Sequence, residues 1–226
     1  MSSLVKNEIR KYVNEKVLPL YDDNAAGHGR SHIETVIARS LELASTFQLD
    51  VDLNMVYVIA VFHDIGYKED PENHEEVSAK MFKEDEKMHE FFSPEQIEIM
   101  AEAITDHRAS LEYEARSVYG KLVSSADREV SVYNMLRRSI LFQAEKHRDE
   151  NPSLLQVIDY SYKKLASKYG KGGYAKMYYP DDKYKKFLGT MQEILADKDK
   201  FVEHEFAVVE KMDKEDKDKL KILIKS

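Results

Sequence analysis

The stretch MVYVIAVFHDIGYK, residues 55–68, runs eight apolar residues into a histidine, an aspartate and, two positions on, a glycine. A polar pair at the end of such a run is costly to bury unless something answers its charge. Asp52, upstream, can cap a helix that carries the run, and Gly66 has the place of a helix stop. Read alone, the run also fits a buried strand. No partner strand is signalled nearby, so the helix is the reading carried forward.

The flanks point the same way. In HIETVIARSLELASTF (32–47), Ile33, Val36, Ile37, Leu41 and Ala44 recur at three- and four-residue steps and line one helix face. SPEQIEIMAEAITDH (93–107) opens with Ser93 as N-cap, Pro94 at the first helical position and Gln96 to complete a capping box. Its stripe is Ile97, Met100, Ala101 and Ile104. VYGKLVSSADREVSVYNML (118–136) reads as one further helix, with Val118, Leu122, Ala126 and Val130 inward. Strict alternation is scarce, so an all-α fold is expected. After HRDENP (147–152), a Gly- and Tyr-rich loop, YGKGGYAKMYYPDD (169–182), separates two more helices, and KMDKEDKDKLKILIKS closes the chain as a charged helix end. The expected organisation is one domain over 1–226, with a helical bundle core at about 20–140 and a helical extension at about 145–226.

Composition narrows the function. Of 226 residues, 42% are hydrophobic and 34% charged, which fits a soluble globular chain with a sizeable core. The net charge of −8 argues against a broad nucleic-acid or anionic-membrane surface, though a local basic pocket remains compatible. With no cysteine, thiolate zinc sites, iron–sulfur clusters, disulfides and a thiol nucleophile are excluded. No run reaches the ~20 apolar residues of a membrane span. The charged N-terminus lacks a signal-peptide core, and a cytoplasmic location is expected.

Six of eight histidines, at 28, 32, 63, 74, 89 and 107, fall in the first half of the chain. His107 follows Ile104 by three residues and so continues an inward stripe. His32 precedes Ile33, and Asp127 follows Ala126. Each taken singly is an ordinary core histidine or helix cap. Together, His32, His63, Asp64 and Asp127 are expected near the same side of helices that must pack together. Such a set needs positive charge, from Lys68, from Arg128 or from a metal; imidazole with carboxylate suits Zn, Mn, Fe, Co or Ni. His89, His147 and His204 sit among charged residues and read as surface positions. YGKGGY (169–174) lacks the spacing of a phosphate-binding loop. The tyrosines at 160–184 read as packing, with a pocket lid as the alternative.

The order His32, His63-Asp64, Asp127, set in GHGRSHIETVIARSLELA, VIAVFHDIGYK and KLVSSADRE, resembles the HD-domain superfamily of metal-dependent phosphohydrolases over about residues 20–140. The resemblance implies an all-helical fold. It implies His32, His63, Asp64 and Asp127 as ligands of a divalent ion (Mn, Fe, Co, Ni, Zn or Mg), with Asp64 able to bridge to a second. It also implies hydrolysis of a nucleotide or other small phosphate ester by metal-activated water. In binuclear relatives extra histidines hold the second ion, and His74 and His107 are the candidates. Only ten residues separate Asp64 from His74, a short spacing for such a ligand. One ion is therefore favoured and two are admitted, with Asp64, His28, His74 and His107 as catalytic or proton-transferring groups. Lys68, one place beyond the family's phosphate-contacting lysine, and Arg128 are candidate substrate contacts, with an ion pair that holds Asp127 as the alternative for Arg128. The expected partner is a small phosphorylated molecule, with neither long nucleic acid nor membrane; an oligomer is compatible. The alternatives are a metal- or nucleotide-binding regulatory module with little turnover, and a di-iron oxygenase, which would need His74 and His107 as ligands.

Overall fold

The computed structural model describes residues 5–22 and 28–225, and among them every regular element is a helix. The chain divides into two compact units, Met1–Arg128 with Lys176–Pro180 and Glu129–Ala175 with Asp181–Ser226. The first holds α1 (Asn7–Tyr12), α2 (Arg30–Thr46), α3 (Leu53–Phe62), α4 (His74–Glu84), α5 (Glu86–Phe91), α6 (Pro94–Thr105) and α7 (Val118–Ala126). The second holds α8 (Val132–Lys146), α9 (Leu154–Tyr169), α10 (Asp182–Leu195), α11 (Lys198–Lys211) and α12 (Lys214–Leu223). No described helix is long and apolar enough to cross a membrane.

The run at 55–62 is a helix, and all eight of its residues are buried. A helix that is apolar all round must be surrounded, and α3 packs against α2, α6 and α7. Asp52 caps it, accepting from Asn54 N–H at 2.8 Å. The capping box of α6 forms as its sequence dictates, and Ile97, Met100, Ala101 and Ile104 are all buried. Each large side chain so buried contributes roughly 1.5–3 kcal/mol.

Two local expectations are corrected. Gly66 does not end a helix, because α3 already stops at Phe62. Its role is close approach. A Cβ there would stand 2.7 Å from the Ser78 backbone nitrogen and the Val77 side chain, while Gly66 N–H donates to Ser78 Oγ at 2.9 Å. The turn carrying His63 and Asp64 is thereby pressed against α4. Secondly, 118–136 is two helices rather than one. After Asp127 the Glu129 carboxylate accepts from Val130 N–H (2.9 Å) and Ser131 N–H (2.8 Å), and Ser131 then caps α8. Local side-chain-to-backbone bonds of this kind compete with helix continuation.

In the second unit, α8, α9 and α11 pack around Val157, Ile158, Leu165 and Phe201. Arg137 on α8 grips Asp216 on α12 through two hydrogen bonds. A polar thread also crosses this interior: Ser139, Ser161 and Glu205 are all buried, with Ser161 Oγ 2.7 Å from Ser139 Oγ and 2.8 Å from Glu205 Oε1.

Candidate metal centre

Five helix ends in the first unit deliver the inward histidines and aspartates to one place. His32 sits in the first turn of α2 and His74 opens α4. His63 and Asp127 are the C-terminal caps of α3 and α7, and His107 follows the cap of α6. Three helix C-termini therefore converge here, and their partial negative charge favours a cation.

Asp64 is the hub. Its Oδ1 lies 3.3 Å from His74 Nε2 and 3.4 Å from His107 Nε2. Its Oδ2 lies 2.7 Å from His28 Nδ1, 3.4 Å from His63 Nε2 and 3.6 Å from His32 Nε2. Asp127 Oδ1 approaches the same imidazoles, at 3.1 Å from His32 Nε2 and 3.8 Å from His63 Nε2. Two groups result whose ligand atoms could hold an ion: His32, His63 and Asp127, and Asp64, His74 and His107. The two oxygens of Asp64 face one group each.

Three imidazoles are oriented by the same device. The Nδ1 of His63, His74 and His107 lies 2.9, 3.1 and 2.7 Å from the carbonyl oxygens of Ala60, Pro71 and Ile104 respectively, in each case three residues back. An N–H donated to each carbonyl fixes the tautomer and turns Nε2 and its lone pair inward, the second contact typical of metal-binding histidines. The arrangement is incomplete as pure protein. His63 Nε2 is buried and makes no hydrogen bond, and the Nε2 atoms of His74 and His107 face each other at 3.2 Å.

The electrostatics agree. Burial pulls His63 down to about 4, so it is neutral near pH 7. Burial, followed by the charge of His107, lowers His74. Burial opposes the charge on His107 as well, but the Asp64 carboxylate outweighs it and raises this one imidazole. Burial would push both aspartates up; His63, His107 and His28 hold Asp64 well below its usual range, and His32 and His63 do the same for Asp127. Two ionised carboxylates thus share a site with His63 and His74, whose charged forms burial disfavours, a donor set suited to a divalent cation.

The other expected residues divide. His28 is at the site, its ring stacked on Tyr67 (centroids 3.7 Å apart, planes 12°). Lys68 is exposed, and it is Tyr67 that meets the histidines, its ring also packed edge-on against His74 with centroids 5.5 Å apart. Arg128 is buried and directed at protein atoms: Nη1 reaches Asp127 Oδ2 (3.5 Å), Nε donates to Lys176 O (3.3 Å), and Nη2 donates to His107 O (3.3 Å) and Ser124 Oγ (2.7 Å). It braces the backbone behind the site. His89 and His204 are exposed, while His147 is half-buried against Tyr160. In the same unit as the site, Tyr178 and Tyr179 serve packing: both backbone amides donate to Ser125 Oγ, and Tyr178 accepts from Ala115 N–H.

Residues 30–130 match the HD-domain family model, a span holding both ligand groups. This region is an HD domain. A crystal structure of a predicted HD superfamily hydrolase from an uncultured Thermotogales bacterium is similar at 18% identity, covering 92% of this chain and 95% of that one, with a TM-score of 0.48. No curated protein matches the chain. Within the HD domain, sequence reasoning did not single out Tyr67, Glu75 or Arg108. The last two carried a signal: His74 is followed directly by an acid and His107 by a base.

Proposed function

We propose that the HD domain is a metal-dependent phosphohydrolase acting on a nucleotide or another small phosphate ester, with an ion in each of the two His/Asp groups. The observation that carries this reading is the division of Asp64, Oδ1 toward His74 and His107 and Oδ2 toward His63 and His32. The ten-residue spacing that favoured a single ion is no obstacle, because the turn at Gly66 folds α4 straight back onto the end of α3. His32, His63 and Asp127 would hold one ion, His74 and His107 the other, with Asp64 between them. Divalent ions held there supply Lewis acidity toward a phosphoryl oxygen and make water acidic enough to attack near neutral pH.

The protein's own groups supply the remainder. The backbone carbonyls behind His63, His74 and His107 prevent ring rotation, so the inward lone pairs are set before substrate arrives. His28, with its side chain 23% exposed, is placed to pass a proton between Asp64 Oδ2 and the outside, and Tyr67 holds its ring flat. The acidic overall charge favours small substrates over long nucleic acid.

Chelated protein reloaded with Mn, Co, Ni, Mg, Fe or Zn, and tested on phosphomonoesters, diesters and nucleotides, is expected to hydrolyse a phosphate ester of the panel only with metal and to lose both metal and turnover in His63→Ala. Loaded protein that turns over nothing in the panel would point instead to a regulatory module. His63→Ala binding metal like wild type would overturn the site. The Asp64, His74 and His107 group also meets the requirement of the di-iron oxygenase; two irons per chain with oxygen uptake and no phosphate release would select it.

A further inference from the structure

Arg108 and Glu75 lie immediately after His107 and His74, and they grip each other: Arg108 Nη1 lies 2.6 Å from Glu75 Oε1. The same nitrogen donates to Glu72 O at 2.7 Å. The guanidinium thus holds the chain on both sides of His74, at 72 and at 75. The carboxylate it holds is itself largely buried, with Glu75 Oε2 making no hydrogen bond and standing 3.7 Å from His74 Nδ1. The loop after α6 and the first turn of α4 have no other hydrogen bond or ion pair between them, among those of the described residues, apart from the contact of the two imidazoles themselves. That contact joins Nε2 atoms at 3.2 Å, an approach that two lone pairs resist without a cation or proton between them.

We propose that the Arg108–Glu75 pair is a positioning device for the Asp64, His74 and His107 group. It fixes the separation of the two imidazoles, and so sets the affinity for the second ion without touching the first. The pair spans 33 residues and joins the two segments that deliver the ligands, whereas His32, His63 and Asp127 are held by other elements. This rests on the two-ion reading above. A charged pair that orients ligands from behind typically changes metal affinity about 10–100-fold.

The test is titration of chelated protein with Mn²⁺, followed by calorimetry and by metal analysis after desalting, on wild type, Arg108→Ala, Arg108→Lys and Glu75→Gln. Wild type is expected to take up two ions. Arg108→Ala and Glu75→Gln are expected to keep the first with unchanged affinity and to bind the second about 10–100-fold more weakly. Arg108→Lys, which retains a donor within reach of Glu75, is expected to recover part of the loss. Unchanged affinity for both ions in Arg108→Ala and Glu75→Gln would overturn the proposal, as would equal weakening of both ions. If Arg108→Ala fails to fold by circular dichroism, Glu75→Gln decides alone, since it preserves shape and removes only the charge. A wild type that binds a single ion would instead overturn the two-ion reading, a result distinguishable before any variant is made.

Discussion

Asp64→Asn is expected to release both ions and to lower turnover on the order of 10³-fold or more, while the metal-free protein keeps its fold. The substitution preserves shape and removes the charge that both groups share. It also places an amide N–H₂ against inward imidazole lone pairs, a favourable contact that a metal ion would have to displace. Stability and function should therefore part company: the melting temperature of the chelated protein stays level or rises, and the stabilisation that added Mn²⁺ gives wild type disappears. At 100-fold excess over its dissociation constant, one ion stabilises by about 2.7 kcal/mol, so the missing increment is easily measured. Metal analysis and melting curves with and without Mn²⁺ provide the check. An Asp64→Asn protein that still gains stability from Mn²⁺ would show that Asp64 is not the shared ligand.

The second large effect lies in the other unit. Glu205 is fully buried and, chiefly through burial and despite the bond to Ser161, its carboxyl is pushed up to about 8. One Ser161 hydroxyl proton cannot serve both Ser139 and Glu205. If Glu205 is protonated, the thread is satisfied, with Glu205 donating to Ser161 and Ser161 to Ser139. The native state then holds a proton that the unfolded chain releases near its ordinary value of 4.5. Because the folded pKa is the higher, this stability is fully present below about 4.5 and drains away as pH rises toward 8. At 1.36 kcal/mol per unit the loss amounts to roughly 5 kcal/mol. Glu205→Gln keeps the donor to Ser161 and cannot ionise. The stability difference between variant and wild type, from urea unfolding across pH 5–9, should widen in the variant's favour by several kcal/mol as pH rises. Parallel curves would mean that the carboxyl titrates normally.

Legibility in the sequence followed the range of the interactions involved. The start of α6 was plain because Ser93, Pro94 and Gln96 act within one turn, and α3 was recognisable as helix once Asp52 was taken as its cap. His32, His63, Asp64 and Asp127 could be gathered because each adjoins an apolar stripe, so the face that turns inward was known. The break at Asp127–Ser131 was hidden, since it depends on one Glu129 rotamer meeting two backbone amides. His74 was the harder case. Chain spacing assigns it a place outside the ligand set, yet the absence of a Cβ at Gly66 lets α4 approach closely enough to bring its ring to 3.3 Å from Asp64. For Arg128 the sequence left two roles open, holding Asp127 or meeting substrate; its Nη1 reaches Asp127 Oδ2 at 3.5 Å, while the Lys176 and His107 carbonyls that it also braces are distant in the chain and carry no local signal.

Anomalous diffraction from crystals of the Mn²⁺-loaded protein tests the shared-carboxylate centre most directly. Two peaks are predicted, one among His32, His63 and Asp127 and one between His74 and His107, with an Asp64 oxygen beside each. A loaded crystal whose manganese peaks lie away from Asp64 would contradict it.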